Sequence, residues 1–298
     1  MSKGFQYGGQ AVIEGVMMRG PKKLAIAVRK PNQEIVIEKK DVSSITERFP
    51  ILKKPGFRGV VALIESMIIG VQALNFSANQ SMEDEEEELT TKELAFTIIL
   101  AFGLAIGLFV ILPTVLTRFM DHMVTNVLAQ NLVEGFIRIL VFTVYIVAIS
   151  RMKDIQRVFQ YHGAEHKVIH AMEAGEELTV ANCQKYTTLH PRCGTSFLLI
   201  VMVTSIFIFA FLGKQELFWR ISSRVILMPL VAGISYEIIK LAGKYQDNMI
   251  LRAISAPGMM LQKLTTREPE DPQVEVAITA LQHVVDDPVA VQVTVCNQ

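Results

Sequence analysis

Four long apolar stretches divide the chain. The first, 94–117 (LAFTIILAFGLAIGLFVILPTVLT), is uncharged between Glu93 and Arg118. The second, 132–150, carries Glu134 and Arg138 in its opening turns, four residues apart, where they can pair on the helix or reach the interface by snorkelling. The third, 195–213, is uninterrupted, and the fourth, 225–242, contains Pro229, Gly233 and Glu237. Each reaches or nearly reaches the ~20 residues that a helix needs to cross a bilayer. The pattern predicts a mainly α, integral membrane protein with about four transmembrane helices. A fifth run, 58–79, repeats Glu65, Gln72 and Asn79 every seven residues. Both Glu65 and Gln72 would be costly in lipid, so this run is expected to lie at the interface or beside the bundle, with a fifth span as the alternative.

Shorter periods appear at the start of the chain. Residues 24–29 (LAIAVR) and 34–39 (EIVIEK) read as alternating strands around Lys30-Pro31-Asn32-Gln33, which predicts a hairpin in a small β-containing unit over 1–56. Ahead of it, GGQAVIEGVMMRGP has four glycines, the mark of a backbone that turns sharply or approaches something closely. Residues 57–93 join the interfacial helix to an acidic linker (MEDEEEEL, 82–89), and 94–243 form the membrane domain with a loop at 151–194. The second span is expected to run on as a helix through residue 172, stopped by Gly175, with Thr179 capping a short helix after it. In the C-terminal segment, 244–298, a Met- and Leu-rich run (250–264) can lie on the membrane. A soluble amphipathic helix follows at 274–285, with Asp271 as cap and Pro272 in its first turn. Residues beyond 286 read as frayed.

Composition agrees with the apolar runs: 51% of the 298 residues are hydrophobic and the mean hydropathy is +0.36. The zero net charge hides an asymmetry. Thirteen Lys and Arg precede residue 94 and six lie within 151–194, whereas 119–131 has none. The positive-inside rule therefore places both termini and the 151–194 loop in the cytoplasm. No apolar leader opens the chain, and Cys183, Cys193 and Cys296 all fall on the cytoplasmic side, where a disulfide framework is not expected. A nucleic-acid partner is not expected.

The candidate chemistry sits in that loop. Four of the six histidines lie between 162 and 190. His162 and His166 are four apart and share a helix face, with Glu165 beside them, in the order H-x-x-E-H. His170 cannot join both on one ion, because eight residues of helix advance about 12 Å while Zn–N bonds are about 2.0–2.1 Å. His190 and Cys193, where the chain returns to the membrane, are the expected further ligands. His170, Glu173 and Glu237 are secondary candidates. The donor set suits a divalent metal, with zinc the expected ion. A bound water would then be the nucleophile and Glu165 the base. The plain alternative is a set of histidines hydrogen-bonded in a wet interface. Cys193 at a helix start offers a second chemistry, a Cys–His nucleophile pair. Glu14 and Arg19, among the N-terminal glycines, can cover the site or hold an anionic group, or simply mark a solvated turn.

The strings GGQAVIEGVMMRGP, FQYHGAEHKVIHAMEAG, HPRCGTSFL and LQKLTTREP resemble the YqhQ-like family of bacterial membrane proteins, from Gly8 to about Val285. The resemblance implies an integral protein of the bacterial inner membrane and a metal-dependent role, without a reaction or substrate. The expected function is a metal-dependent, hydrolytic enzyme acting at the cytoplasmic membrane surface on a membrane-protein or lipid-like substrate, either as a monomer or as an oligomer. The competing class is a non-catalytic assembly or translocation factor, or a transporter-like component using Glu237, with a structural metal or none.

Overall fold

The computed structural model describes residues 7–82, 91–120, 122–213, 215–244 and 249–285. Most of the acidic linker and the residues beyond 286 lie outside them. Among the described residues the chain is mainly helical with one small sheet.

Strands β1 (Gly8–Val12), β2 (Gly15–Arg19), β3 (Lys23–Arg29) and β4 (Ile35–Asp41) form an antiparallel meander in the order 1-2-3-4. The β3–β4 hairpin is the one expected, with Arg29 opposite Ile35. The β1–β2 hairpin was not expected. The glycine-rich string is a strand pair closed by Ile13 and Glu14, with Glu14 at φ 52°. Glycine weakens strand propensity, but here it permits close approach. A Cβ at Gly15 would lie 2.3 Å from the Ala27 carbonyl oxygen, and one at Gly9 would lie 2.6 Å from that of Met17.

Both faces of the sheet are covered. Val16, Met18, Ala25 and Ala27 pack on one side, in a core shared with two helices, α6 (Lys153–Ala174) and α12 (Asp271–Gln282). Met17, Leu24, Ile26 and Val28 pack on the other against Ile69, Ala73 and Phe76 of α2 (Phe57–Ser81). The alternation follows from the two-residue period of a strand. The C-terminal helix therefore returns to the N-terminal sheet. It is amphipathic, as expected, with Val274, Ala277, Ile278 and Leu281 buried and Glu275 exposed. Its cap lies one residue earlier than expected, at Glu270, which forms a capping box with Gln273.

The stripe on α2 finds polar partners. Glu65 accepts from Ser44 Oγ and Ile45 N, each at 2.9 Å, in the segment that holds the short helix α1 (Ile45–Arg48) and a 3₁₀ turn (Pro50–Lys53). Arg19 pairs with Glu65 at 3.8 Å.

The apolar runs form a bundle. Helix α3 (Thr91–Ile106) passes through a π turn (Gly107–Ile111) into α4 (Leu112–Arg118), just before Pro113, which has no amide to donate. Then come α5 (Val127–Ile149), α8 (Gly194–Ala210), α9 (Leu217–Ile226) and α10 (Met228–Lys244). Among the described residues, three helices are long and apolar enough to cross a membrane: α2, the α3–α4 run from residue 95, and α5. The α9–α10 pair, bent by 45°, makes a fourth. The third predicted span, α8, has only 17 residues. The second does not continue to 172. It ends at Ser150, and Met152 is extended (ψ 132°) before α6 begins. As expected, Gly175 ends α6 in the left-handed region (φ 74°) and Thr179 caps α7 (Val180–Gln184). The Met- and Leu-rich run is helix α11 (Met249–Thr265), packed along α8, where Gly258 meets Ser196.

A buried charge cluster ties the bundle together. Glu134, 2% exposed, accepts from Arg138 at 3.0 Å, as its spacing predicts, and also from Arg220 at 2.9 Å and Arg224 at 3.0 Å. Arg138 also reaches Ser205, and Arg224 reaches Asn131. The Phe209 ring faces both guanidinium groups, at 5.3 and 4.9 Å. Removing one member of a buried pair costs about 3–5 kcal/mol, because the remaining charge is uncompensated. Glu134→Gln is therefore expected to lower the thermal midpoint of the detergent-purified protein sharply. Glu275→Gln, at a pair whose carboxylate is exposed, should shift it little. Equal midpoints for the two variants would contradict this role for Glu134.

Candidate metal centre

Helix α6 is buried on nearly every side from Tyr161 to Ala171. Gly163 lets it approach the end of α11: a Cβ there would lie 2.1 Å from the Arg267 carbonyl oxygen. Burial obliges each polar side chain on this stretch to find a partner. Lys167 Nζ donates to the Gln184 carbonyl at 3.0 Å and pairs with Glu268 at 2.9 Å. His162 and His166 lie one turn apart with ring centroids at 4.5 Å. His162 Nδ1 sits 2.8 Å from the Thr265 carbonyl oxygen, and His166 Nδ1 sits 2.5 Å from that of Thr188. A carbonyl oxygen only accepts, so both Nδ1 atoms carry the proton and both Nε2 atoms carry a lone pair.

Those lone pairs meet a thiol. Cys193 caps the N-terminus of α8, and its Sγ is 3.1 Å from His162 Nε2. The ligand atoms of His162, His166 and Cys193 all lie within 4.8 Å of one another. Ligands of a tetrahedral zinc stand about 3.5 Å apart, as bonds of 2.0–2.3 Å require. Burial, above all, lowers the pKa of His166 and keeps its ring neutral, the form that binds metal.

Glu165, 5% exposed, faces the same cavity, which encloses about 390 Å³. Its carboxyl pKa is pushed above the ordinary carboxylate range by burial, against the opposing influence of His162, His190 and the Gly9 amide that donates to it. Strand β1 covers this wall, with Gly9 so close that a Cβ would be 3.0 Å from Glu165 Cγ. The N-terminal string thus closes the site through its backbone rather than through Glu14 or Arg19. Glu14 is held by Arg157 and by Tyr161 Oη at 3.2 Å. Glu237 is likewise engaged elsewhere, with Arg58.

His190 also lines the cavity, but its ligand atom groups with those of His170 and Glu173, not with the first three residues. The four-residue set expected from the sequence is thus divided between two clusters joined by neighbouring rings, with His166 and His190 centroids at 5.6 Å. Burial lowers the pKa of both His170 and His190.

Gln262 on α11 escaped the sequence reading. It is fully buried, and it clamps the His190 backbone by accepting from its amide and donating to its carbonyl, each at 2.8 Å. A lone glutamine in an apolar run was the available signal, since a buried amide demands partners. Arg192, which binds Glu173, was likewise not singled out as a site residue.

Comparison with known proteins places these residues in a family context. A family model described as protein of unknown function (DUF1385) matches residues 54–287. The chain is 36% identical over 285 residues to the protein named "Uncharacterized protein YqhQ" of Bacillus subtilis (strain 168), covering 91% of this chain and 90% of that relative. No solved structure matches the chain. By the extent of both matches, the chain belongs to the DUF1385, YqhQ-like family.

Proposed function

We propose that the protein is a metal-dependent hydrolase of the bacterial inner membrane, with its site at the cytoplasmic surface. His162, His166 and Cys193 hold one divalent ion, with zinc the best match to two nitrogens and a thiolate. The observation that carries this reading is the pairing of both Nδ1 atoms with carbonyl oxygens, with His162 Nε2 3.1 Å from Cys193 Sγ and one ligand atom of each of the three residues within 4.8 Å of the others. Backbone groups that orient metal-binding imidazoles in this way are a recurrent second layer of metal sites. The basic loops support the cytoplasmic placement.

These three residues would hold the ion, and a bound zinc would supply an acidified water as nucleophile. Glu165 accepts the proton as the water oxygen bonds to a substrate carbonyl carbon, and returns it to the leaving oxygen or nitrogen as that bond breaks. A lipid-like ester or amide, or a membrane-proximal peptide, fits the surroundings. Leu198 of α8 borders both this cavity and a second, apolar one of about 360 Å³ that continues along α8 past Met202 and Ser205.

Cobalt substitution tests for this water. The d–d bands of the cobalt protein are expected to shift with pH near neutrality as the bound water ionises. Bands that stay constant from pH 5 to 9 would signal a closed, structural site, as a non-catalytic membrane factor would have. With chromogenic acyl esters, Glu165→Gln is expected to keep its metal and lose about 10²–10⁴-fold in rate. Metal binding and hydrolysis both unchanged in Glu165→Gln would remove the base.

One contact favours a second reading. The 3.1 Å approach of His162 Nε2 to a thiol at a helix N-terminus also suits a Cys–His nucleophile pair. Iodoacetamide separates the two. The metal reading expects zinc to protect Cys193 and chelation to expose it, whereas equal labelling in both states would favour the nucleophile.

A further inference from the structure

One turn further along α6, a second set of ligand atoms converges. His170, Glu173 and His190 offer one each, all within 4.8 Å of one another. His170 Nε2 donates to the Leu189 carbonyl at 2.9 Å, which leaves the lone pair on Nδ1. The α6 helix thus repeats at His170 the device seen at His162 and His166, a ring fixed by a backbone carbonyl.

His190 provides an independent observation. The residue is 4% exposed, and its Nε2 has no hydrogen-bond partner. Glu173 Oε2 stands 3.6 Å from that nitrogen, beyond hydrogen-bond range. The other oxygen, Oε1, is taken by the Arg192 guanidinium. Arg192 therefore anchors one side of the carboxylate and leaves the other facing the imidazoles. Ligand atoms within 4.8 Å of one another, with His190 Nε2 and Glu173 Oε2 too far apart to bond each other, have the spacing of ligands around an ion. Ligation through His190 Nε2 puts that ring's proton on Nδ1. It gives up only the 3.4 Å contact from the Arg192 amide.

We propose that His170, Glu173 and His190 form a second divalent-cation position beside the first, with His190 on the wall of the cavity. The four rings run without interruption from one position to the other, with successive centroids at 4.5, 5.6 and 4.7 Å for His162–His166, His166–His190 and His190–His170. Glu165 lies on the same helix within electrostatic reach of His162 from one group and His190 from the other. The ligand set, two nitrogens and a carboxylate oxygen without sulfur, suits zinc and also manganese or iron. The second position rests on its own ligands and stands whether or not Cys193 binds metal.

Metal content of the full-length protein in detergent tests this. The protein is stripped with a chelator, reloaded with zinc salt alone, desalted and analysed by mass spectrometry. The wild type is expected to hold about two equivalents, and His170→Ala, Glu173→Gln and Cys193→Ser about one each. Glu173→Gln preserves side-chain shape, so its loss of metal reads as loss of a ligand. After cobalt loading, the thiolate charge-transfer band should survive in His170→Ala and vanish in Cys193→Ser. A single equivalent in the wild type that is lost in Cys193→Ser and kept in His170→Ala and Glu173→Gln would overturn the second position and leave the first. A single equivalent with the reverse pattern would uphold the second position and overturn the first.

Discussion

The fold around the candidate site turns on the burial of α6. A helix enclosed on nearly every side cannot leave Glu165, His166 and Lys167 without partners, since each unpaired polar group or charge costs several times a typical hydrogen bond. The partners come from segments far apart in sequence. Gly9 of β1 serves Glu165, Thr188 serves His166, Gln184 and Glu268 serve Lys167, and Thr265 at the end of α11 serves His162. Satisfying this one helix requires the N-terminal strand, the 175–193 loop and the C-terminal segment to meet around it. The candidate metal centre is the place where they meet.

Helix α8 carries the same logic into the bundle. Its start is fixed by Cys193 as cap, its first turn by Gln262 through Ser196, and its far end by Phe209 beneath Arg138 and Arg224. One rigid element thus links the buried Glu134 cluster to the thiol. The two ends stand about 24 Å apart, the rise of sixteen helical residues.

Local patterns were legible and convergent ones were not. The β3–β4 alternation, the Gly175 stop, the Thr179 cap and the Glu134–Arg138 pair are short-range features that spacing alone reveals. The shared face of His162 and His166 and the return of Cys193 were readable for the same reason. The β1–β2 hairpin was hidden because its glycines answer to Glu165 and to neighbouring strands rather than to their own conformational preference. The break at residues 150–152 has no proline or glycine to announce it. The assignment of His190 to His170 and Glu173 depends on Gln262, contributed by a helix more than seventy residues away. The burial of α12 is set by the sheet it covers, which its own sequence does not reveal.

The central claim is that His162, His166 and Cys193 bind one zinc together. X-ray absorption at the zinc K-edge of the purified protein tests it most directly. The account predicts a mixed first shell, with one sulfur at about 2.3 Å and nitrogen or oxygen neighbours at about 2.0–2.1 Å. A shell of nitrogen and oxygen alone, in zinc-loaded protein with its thiols reduced, would contradict it.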